Sequence, residues 1–144
     1  MSVKATNIKS KLRFINYVVN KVEFYMNPKF TGDAVSLDFD IEREIKFLED
    51  EDNTVLVKLE ADIFPLAEYK NYPFSMKLEI TGVFEIENNA TEVEARGLAE
   101  TNAIAILFPY LRAMVTTYSA NANVEPIIIP PINVLKMVND KKEV

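Results

Sequence analysis

The stretch "IAILFPYLRAMVTTY", Ile104 to Tyr118, decides how the rest of the chain is read. Ile104, Leu107, Phe108, Leu111, Met114 or Val115, and Tyr118 recur every three to four residues, which is the period of one helix face. Upstream, "VSLDFDIEREI", Val35 to Ile45, sets Val35, Leu37, Phe39 and Ile41 against Ser36, Asp38, Asp40 and Glu42. That is the two-residue period of a half-buried strand. Strands first and helices last predict an α+β fold. Pro109 stands in the middle of the helical face. It removes a backbone donor and presses its ring on the carbonyl four residues back, so the helix is expected to kink or begin again there.

Two further runs alternate like the first: "VLVKLEADI" from Val55 and "FSMKLEITGVFEI" from Phe74, with Gly82 expected at a bulge or bend. A shorter one, "VEFYM", sets Val22, Phe24 and Met26 against Glu23 and Tyr25, and "NPKFTGDA" after it reads as a loop or crossover. The expected layout is one domain over 1–144. A polar leader and the start of the first strand occupy 1–20, and antiparallel strands occupy 21–87 as a four-stranded sheet with one solvated face. A long helix over 101–120 follows, then a short C-terminal helix over 133–142 with Asn133 as N-cap. A further short helix before it, from Glu92, would be stopped by Gly97.

At 144 residues and 49% hydrophobic the chain can bury a core of its own. Its net charge of -6 is wrong for neutralising phosphates, so nucleic acid is not an expected partner. There is no histidine and no cysteine, which removes Ser-His-Asp and Cys-His nucleophile systems and thiolate metal sites. Gly32, Gly82 and Gly97 are too dispersed for a phosphate-binding loop. Neither an enzyme nor a cofactor is implied. The N-terminal "MSVKATNIKSKLRF" has no continuous apolar core, and prolines and charges interrupt the later apolar runs, so no membrane insertion and a cytoplasmic location are expected.

Carboxylates are the remaining chemical groups. Asp38, Asp40 and Glu42 share one strand face and in principle offer an acid and a base, but strand alternation already accounts for them as a solvated face. Glu49 to Asp52 reads as a charged turn. A carboxylate enzyme or a lipid-binding sheet is therefore the alternative from another class. The apolar surplus, including Phe24, Met26, Phe30, Phe108, Tyr110, Met114, Met137 and Ile127 to Ile129, fits core, subunit interface or an adaptable binding surface.

The segments "AILFPYLR", Ala105 to Arg112, and "IIPPIN", Ile128 to Asn133, together resemble the SecB family of bacterial export chaperones. The resemblance implies a homotetramer, a dimer of dimers, that holds unfolded polypeptides or preproteins in surface grooves without ATP. By the same resemblance, the groove draws on Phe24, Met26, Pro28 and Phe30 of the first strand and crossover, and on Phe108, Leu111, Val115, Leu135, Met137 and Val138 of the helices. Leu107, Pro109, Tyr110, Met114 and Tyr118 would form the oligomer interface. The export ATPase SecA would dock on sheet acids. Here the matching positions read Lys21, Glu23, Tyr25 and Ser75, Lys77, Glu79, so the patch is thinned, with Asp38, Asp40 and Glu42 as a shifted acidic surface. A SecB-like chaperone dedicated to one partner, such as an antitoxin, is the alternative that this thinning suggests.

Overall fold

The computed structural model describes residues 11–48 and 53–140. The leader before Lys11, the acidic stretch Glu49 to Asp52 and the end of the chain after Asp140 lie outside the described residues. Four strands form one antiparallel sheet: β1 (Leu12–Met26), β2 (Phe39–Phe47), β3 (Thr54–Ile63) and β4 (Phe74–Ile86). A single helical turn, α1 (Ala67–Lys70), interrupts the β3–β4 connection. Helix α2 (Glu92–Asn121) and helix α3 (Val134–Asp140) follow. The class is α+β, as the change of period indicates.

The strand order is β1-β4-β3-β2. β2, β3 and β4 are a meander, whereas β1 pairs with β4, so the chain must cross the sheet between β1 and β2. The 27–38 segment makes that crossing. On β3 and β4 burial alternates residue by residue, with Val55, Val57, Leu59, Leu78, Ile80 and Phe84 fully buried beneath the helices. The opposite face carries the polar set and is only half-buried.

β1 begins at Leu12, ten residues before the alternation at Val22 becomes visible. The pairing slips between Phe14 and Asn16 and again between Val19 and Lys21, leaving Ile15 and Asn20 as extra residues. Each bulge shifts the inward-facing set by one position, so a strict two-residue pattern cannot run through the strand. Gly82 is not a bulge. It pairs in register with Tyr17 on one side and Val57 on the other. A Cβ there would stand 2.7 Å from the Phe84 ring and 3.0 Å from Leu107 Cδ1, so the missing side chain is what lets α2 lie against the sheet.

Helix α2 also departs from the expected layout. It starts at a capping box, in which Thr91 Oγ1 accepts from the Glu94 amide and the Glu94 carboxylate accepts from the Thr91 amide. It runs through Gly97, whose φ of −61° and ψ of −41° are helical. Leu98–Ala103 is a π-helical segment, which adds to each turn and brings Ala99 and Ala103 onto the core face beside Ile104. The α-helix then continues over Ile104–Asn121 without restarting at Pro109. Pro109 lies off the apolar face: it and Ala105, whose carbonyl loses its donor, are both exposed, so water can satisfy that carbonyl. By length and composition the 30-residue helix is apolar enough to cross a bilayer, although the interrupted apolar runs suggest otherwise. Its apolar side, from Ile104 through Leu107, Leu111 and Val115, is buried against the sheet, as in the core helix of a globular domain.

Ala substituted for Gly82 should lower stability by about 1–3 kcal/mol, because Phe84 and Leu107 are fully buried and cannot swing aside. Urea unfolding followed by circular dichroism reads this, and an unchanged midpoint would mean that the helix–sheet spacing is not set here.

Candidate functional site

The crossover is built from the sequence outward. Asn27 follows directly on β1 and is buried. Its Nδ2 donates to the carbonyls of Ala67 at 3.2 Å and Tyr72 at 2.8 Å, while its Oδ1 accepts from the Lys29 amide at 3.0 Å. Asn71, at φ 58° in the left-handed region that Asn tolerates, ties the loop from the other side: Oδ1 accepts from the Thr31 amide at 3.0 Å and Nδ2 donates to the Thr31 carbonyl at 2.8 Å. Beneath them Phe24 stacks on Phe74 at 4.9 Å, and Phe64 meets Phe74 edge-on at 5.2 Å. These aromatics give the crossover a rigid floor.

The opposite wall is the chain after α2. Three helical side chains at positions i, i+4 and i+7 hold it. Arg112 donates twice to the Ile129 carbonyl, at 3.1 and 2.7 Å, and Thr116 Oγ1 donates to the Ile127 carbonyl at 2.7 Å. Ser119, fully buried, accepts from the Ile127 amide at 2.8 Å and donates back to the Val115 carbonyl at 2.8 Å. Side chains thus replace a neighbouring strand, through hydrogen bonds that are partly or fully buried. Ile129 points into the core while Ile128 is 70% exposed. Between wall and crossover lies a cleft of about 390 Å³, lined by Phe30, Leu37, Phe64, Phe74, Val124 and Ile127 with Ile128 at the rim.

Of the residues expected at a groove, Phe30 lines this cleft and Phe24 supports its floor through Phe74. Met26 and Pro28 are exposed at the end of β1 and the start of the crossover, and Met26 borders a separate cleft with Tyr25, Leu66 and Tyr69. Leu111, Val115 and Val138 are buried within the protomer, and Phe108 is nearly so, because they form the helices' inward faces. They belong to the core and are not available to a ligand in this arrangement. Leu135 and Met137 are half-buried on α3, whose N-cap is Asn133, its Oδ1 accepting from the Lys136 amide at 3.1 Å. Among the residues expected at an oligomer interface, Leu107 is likewise core. Pro109, Tyr110 and Tyr118 are exposed on the outer side of α2, and Met114 is half-buried. Tyr110 packs on Tyr17 and Phe14 of β1, with centroids 4.9 and 5.5 Å apart.

The expected acidic surface is rearranged. Asp38 is drawn into the crossover, accepting from the Tyr72 hydroxyl at 2.6 Å and lying 3.6 Å from Lys70, and it holds the Tyr72 pKa above its ordinary value. Glu23 lies 3.6 Å from Lys21 and pairs across from Lys77, and Glu79 lies 3.8 Å from Lys58. Asp40 and Glu42 do share a face, and β3 adds Asp62 and Glu60 directly opposite them. Like charges so placed repel. Burial, with Asp40, Glu42 and Asp38 nearby, raises the Asp62 pKa in spite of Lys77. Among the described residues no three acidic side chains converge to hold a metal ion.

The elements therefore define an α+β protein in which one sheet face carries the helices and a crossover loop and a proline-rich strap frame an apolar cleft. The SecB family model, described as preprotein translocase subunit SecB, matches residues 20–143, and the chain belongs to that family. It is 36% identical over 137 residues, 94% of this chain and 88% of the relative, to an uncharacterised protein of Methanocaldococcus jannaschii. The fold is similar to that of a Mycobacterium tuberculosis SecB-like chaperone solved with a peptide from the HigA1 antitoxin. That match has a TM-score of 0.66 and 13% identity, and covers 85% of this chain and 88% of the other.

The folded pKa of Asp62 lies above the unfolded one, so its favourable contribution is complete only below pH 3.8 and is lost as pH rises through the folded value. Asp62→Asn should accordingly stabilise the protein slightly at pH 7, with the gain vanishing below pH 3.8. Urea midpoints at the two pH values check the sign; equal midpoints at pH 7 would mean the acidic rows do not strain the sheet.

Proposed function

We propose that the protein is an ATP-independent holdase that binds unfolded or non-native polypeptides along the crossover cleft and keeps them from aggregating. The observation that carries this reading is the cleft itself: Phe24, Phe64 and Phe74 packed together beneath Phe30, with Ile127 and Ile128 presented by a strap that Arg112, Thr116 and Ser119 anchor through the Ile127 amide and the Ile127 and Ile129 carbonyls. Such a surface has apolar side chains to offer and few demands of its own. Burial there contributes about 25 cal/mol per Å² of apolar area, and extended clients add backbone hydrogen bonds at exposed edges. Membership of a chaperone family supports the reading, and nothing in it requires catalysis or a cofactor.

Assembly follows from β1. It is an edge strand, and Ile15, Val18, Val19 and Val22 are 39–48% exposed along it, with Ile106 and Tyr110 on the adjacent helix. Val19 and Val22 lie opposite Ile80 and Leu78, on the helix-bearing face that α2 leaves uncovered. A long apolar edge invites pairing with another chain. Our reading is a second copy, leading to a dimer of dimers acting in the cytoplasm. Hand-over of preproteins to SecA is the weaker part, since Lys21 and Lys77 stand among the acids of β1 and β4. That same thinning favours, as a second reading, a chaperone dedicated to one partner; the Mycobacterium tuberculosis neighbour was solved with an antitoxin peptide.

Light scattering of an aggregating unfolded protein, without nucleotide and with this protein equimolar, should show suppression, and Ile128→Asp should weaken it several-fold. No suppression by the wild type would remove the general holdase reading and leave the dedicated one, which tight binding of a single chain would identify.

Multi-angle light scattering should give the mass of a tetramer at micromolar protein, reduced by Val22→Glu. A monomeric wild type would sink the edge-pairing argument.

A further inference from the structure

The cleft that Met26 borders, of about 470 Å³, opens at the same end of the sheet as the crossover cleft, around Ser75 on the polar face. Its apolar side chains are exposed: Tyr25, Met26, Leu66 at 67% and Tyr69 at 88%. Leu66 is held there under strain. Its φ of 58° and ψ of 47° lie in the left-handed region, which a leucine enters only when its surroundings compel it. Phe64, at φ 51°, is left-handed too, but its ring is buried against Tyr72 and Phe74. Leu66 has little packing of that kind. The turn around it is nevertheless fixed, because the Ala67 carbonyl accepts from Asn27 Nδ2 at 3.2 Å and from the Tyr72 amide at 2.8 Å. A strained leucine left outside the core gains nothing within the protomer, and strain of this sort is a mark of binding surfaces.

The chain itself joins the two clefts. Phe64 lines the crossover cleft and Leu66 the second; on β4, Phe74 lines the first and Ser75 the second. Asn27 lines the second, and its carbonyl accepts at 3.2 Å from the amide of Phe30, which lines the first. We propose that the second cleft continues the client site: an extended polypeptide seated on Phe30 and Phe74 passes round the end of the sheet and sets its next apolar side chains on Leu66 and Tyr69. The inference rests on the polypeptide-binding reading above and adds a second point of attachment to it. Tyr25, Met26, Leu66 and Tyr69 cannot cover the ~800 Å² per partner that a stable second copy needs, yet they match a few residues of extended chain. A sheet layer is about 10 Å thick, so roughly six residues at about 3.3 Å each carry a client from one cleft to the other. Once the first cleft is occupied, binding at the second is intramolecular, and a client long enough to reach both is held more tightly than either contact alone provides.

Two capped, fluorescein-labelled peptides test this by fluorescence anisotropy: a short apolar sequence of high β-propensity, and a tandem of two copies of it joined by about six Gly and Ser residues. The wild type should bind the tandem about tenfold more tightly than the single copy, or better. Leu66→Asn combined with Tyr69→Ser should cut that gain to the roughly twofold that two copies give by statistics alone. Asn accepts the left-handed conformation, so the variant should keep or raise the urea midpoint of the wild type. A midpoint well below the wild type would show that Leu66 serves the protomer's own packing and would overturn the proposal. A tandem gain that survives in the variant, or is absent from the wild type, would also overturn it and leave the holdase reading intact. Binding of neither peptide, with aggregation still suppressed, would likewise remove only the second cleft, whereas binding of neither without suppression would remove both.

Discussion

The contact on which the architecture depends is that of Leu107 over Gly82. A helix resting on a sheet is normally held off by the side chains between them; at Gly82 there is none, so the helix backbone settles close to β4 and commits its apolar side to β3 and β4. Two consequences follow. The single long helix reaches β1 at Phe14 and Tyr17 but not beyond, which leaves Val19 and Val22 open on the same face. And the flank of the helix that carries the part-buried Arg112 and Thr116 and the buried Ser119 is placed where it can draw the following chain back over the aromatic floor. Core, edge and cleft thus descend from one close approach.

Much of this arrangement was legible in the sequence, because burial on one face imposes a period and the period changes once, after β4. What was lost, was lost to slips of phase. In β1 the residues Ile15 and Asn20 each displace the inward set by one, so the strand is invisible before Val22. In α2 the π-helical segment displaces the face in the same manner, so the first half of the helix looks irregular and Gly97 looks like a stop. Gly82 was recognised as special but for the wrong reason: the backbone there is regular, and the close neighbour that explains it is more than twenty residues away in sequence.

The cleft was readable to a lesser degree. Phe30 and the isoleucines stand out as apolar residues in a loop-like context, but an apolar helical residue gives no local sign of whether it faces core or ligand, and Leu111, Val115 and Val138 prove to be core. The strap's anchors were within reach. Arg112, Thr116 and Ser119 form a polar stripe at i, i+4 and i+7 on an otherwise apolar helix, and a polar residue on a buried face implies a partner. For the acids, alternation on β3 places Glu60 and Asp62 outward, but only the pairing register sets them opposite Glu42 and Asp40.

The strand order also bears on how the chain comes to be folded. β2, β3 and β4 are joined by local connections and can pair as each is completed, while β1, though made first, has its partner at the far end of the meander. Closing so long a loop is entropically dearer and slower than forming a hairpin. During synthesis the apolar residues of β1 therefore wait, unpaired, for β4 to emerge. A protein whose proposed task is to shelter unfinished chains passes through the very state it is built to recognise.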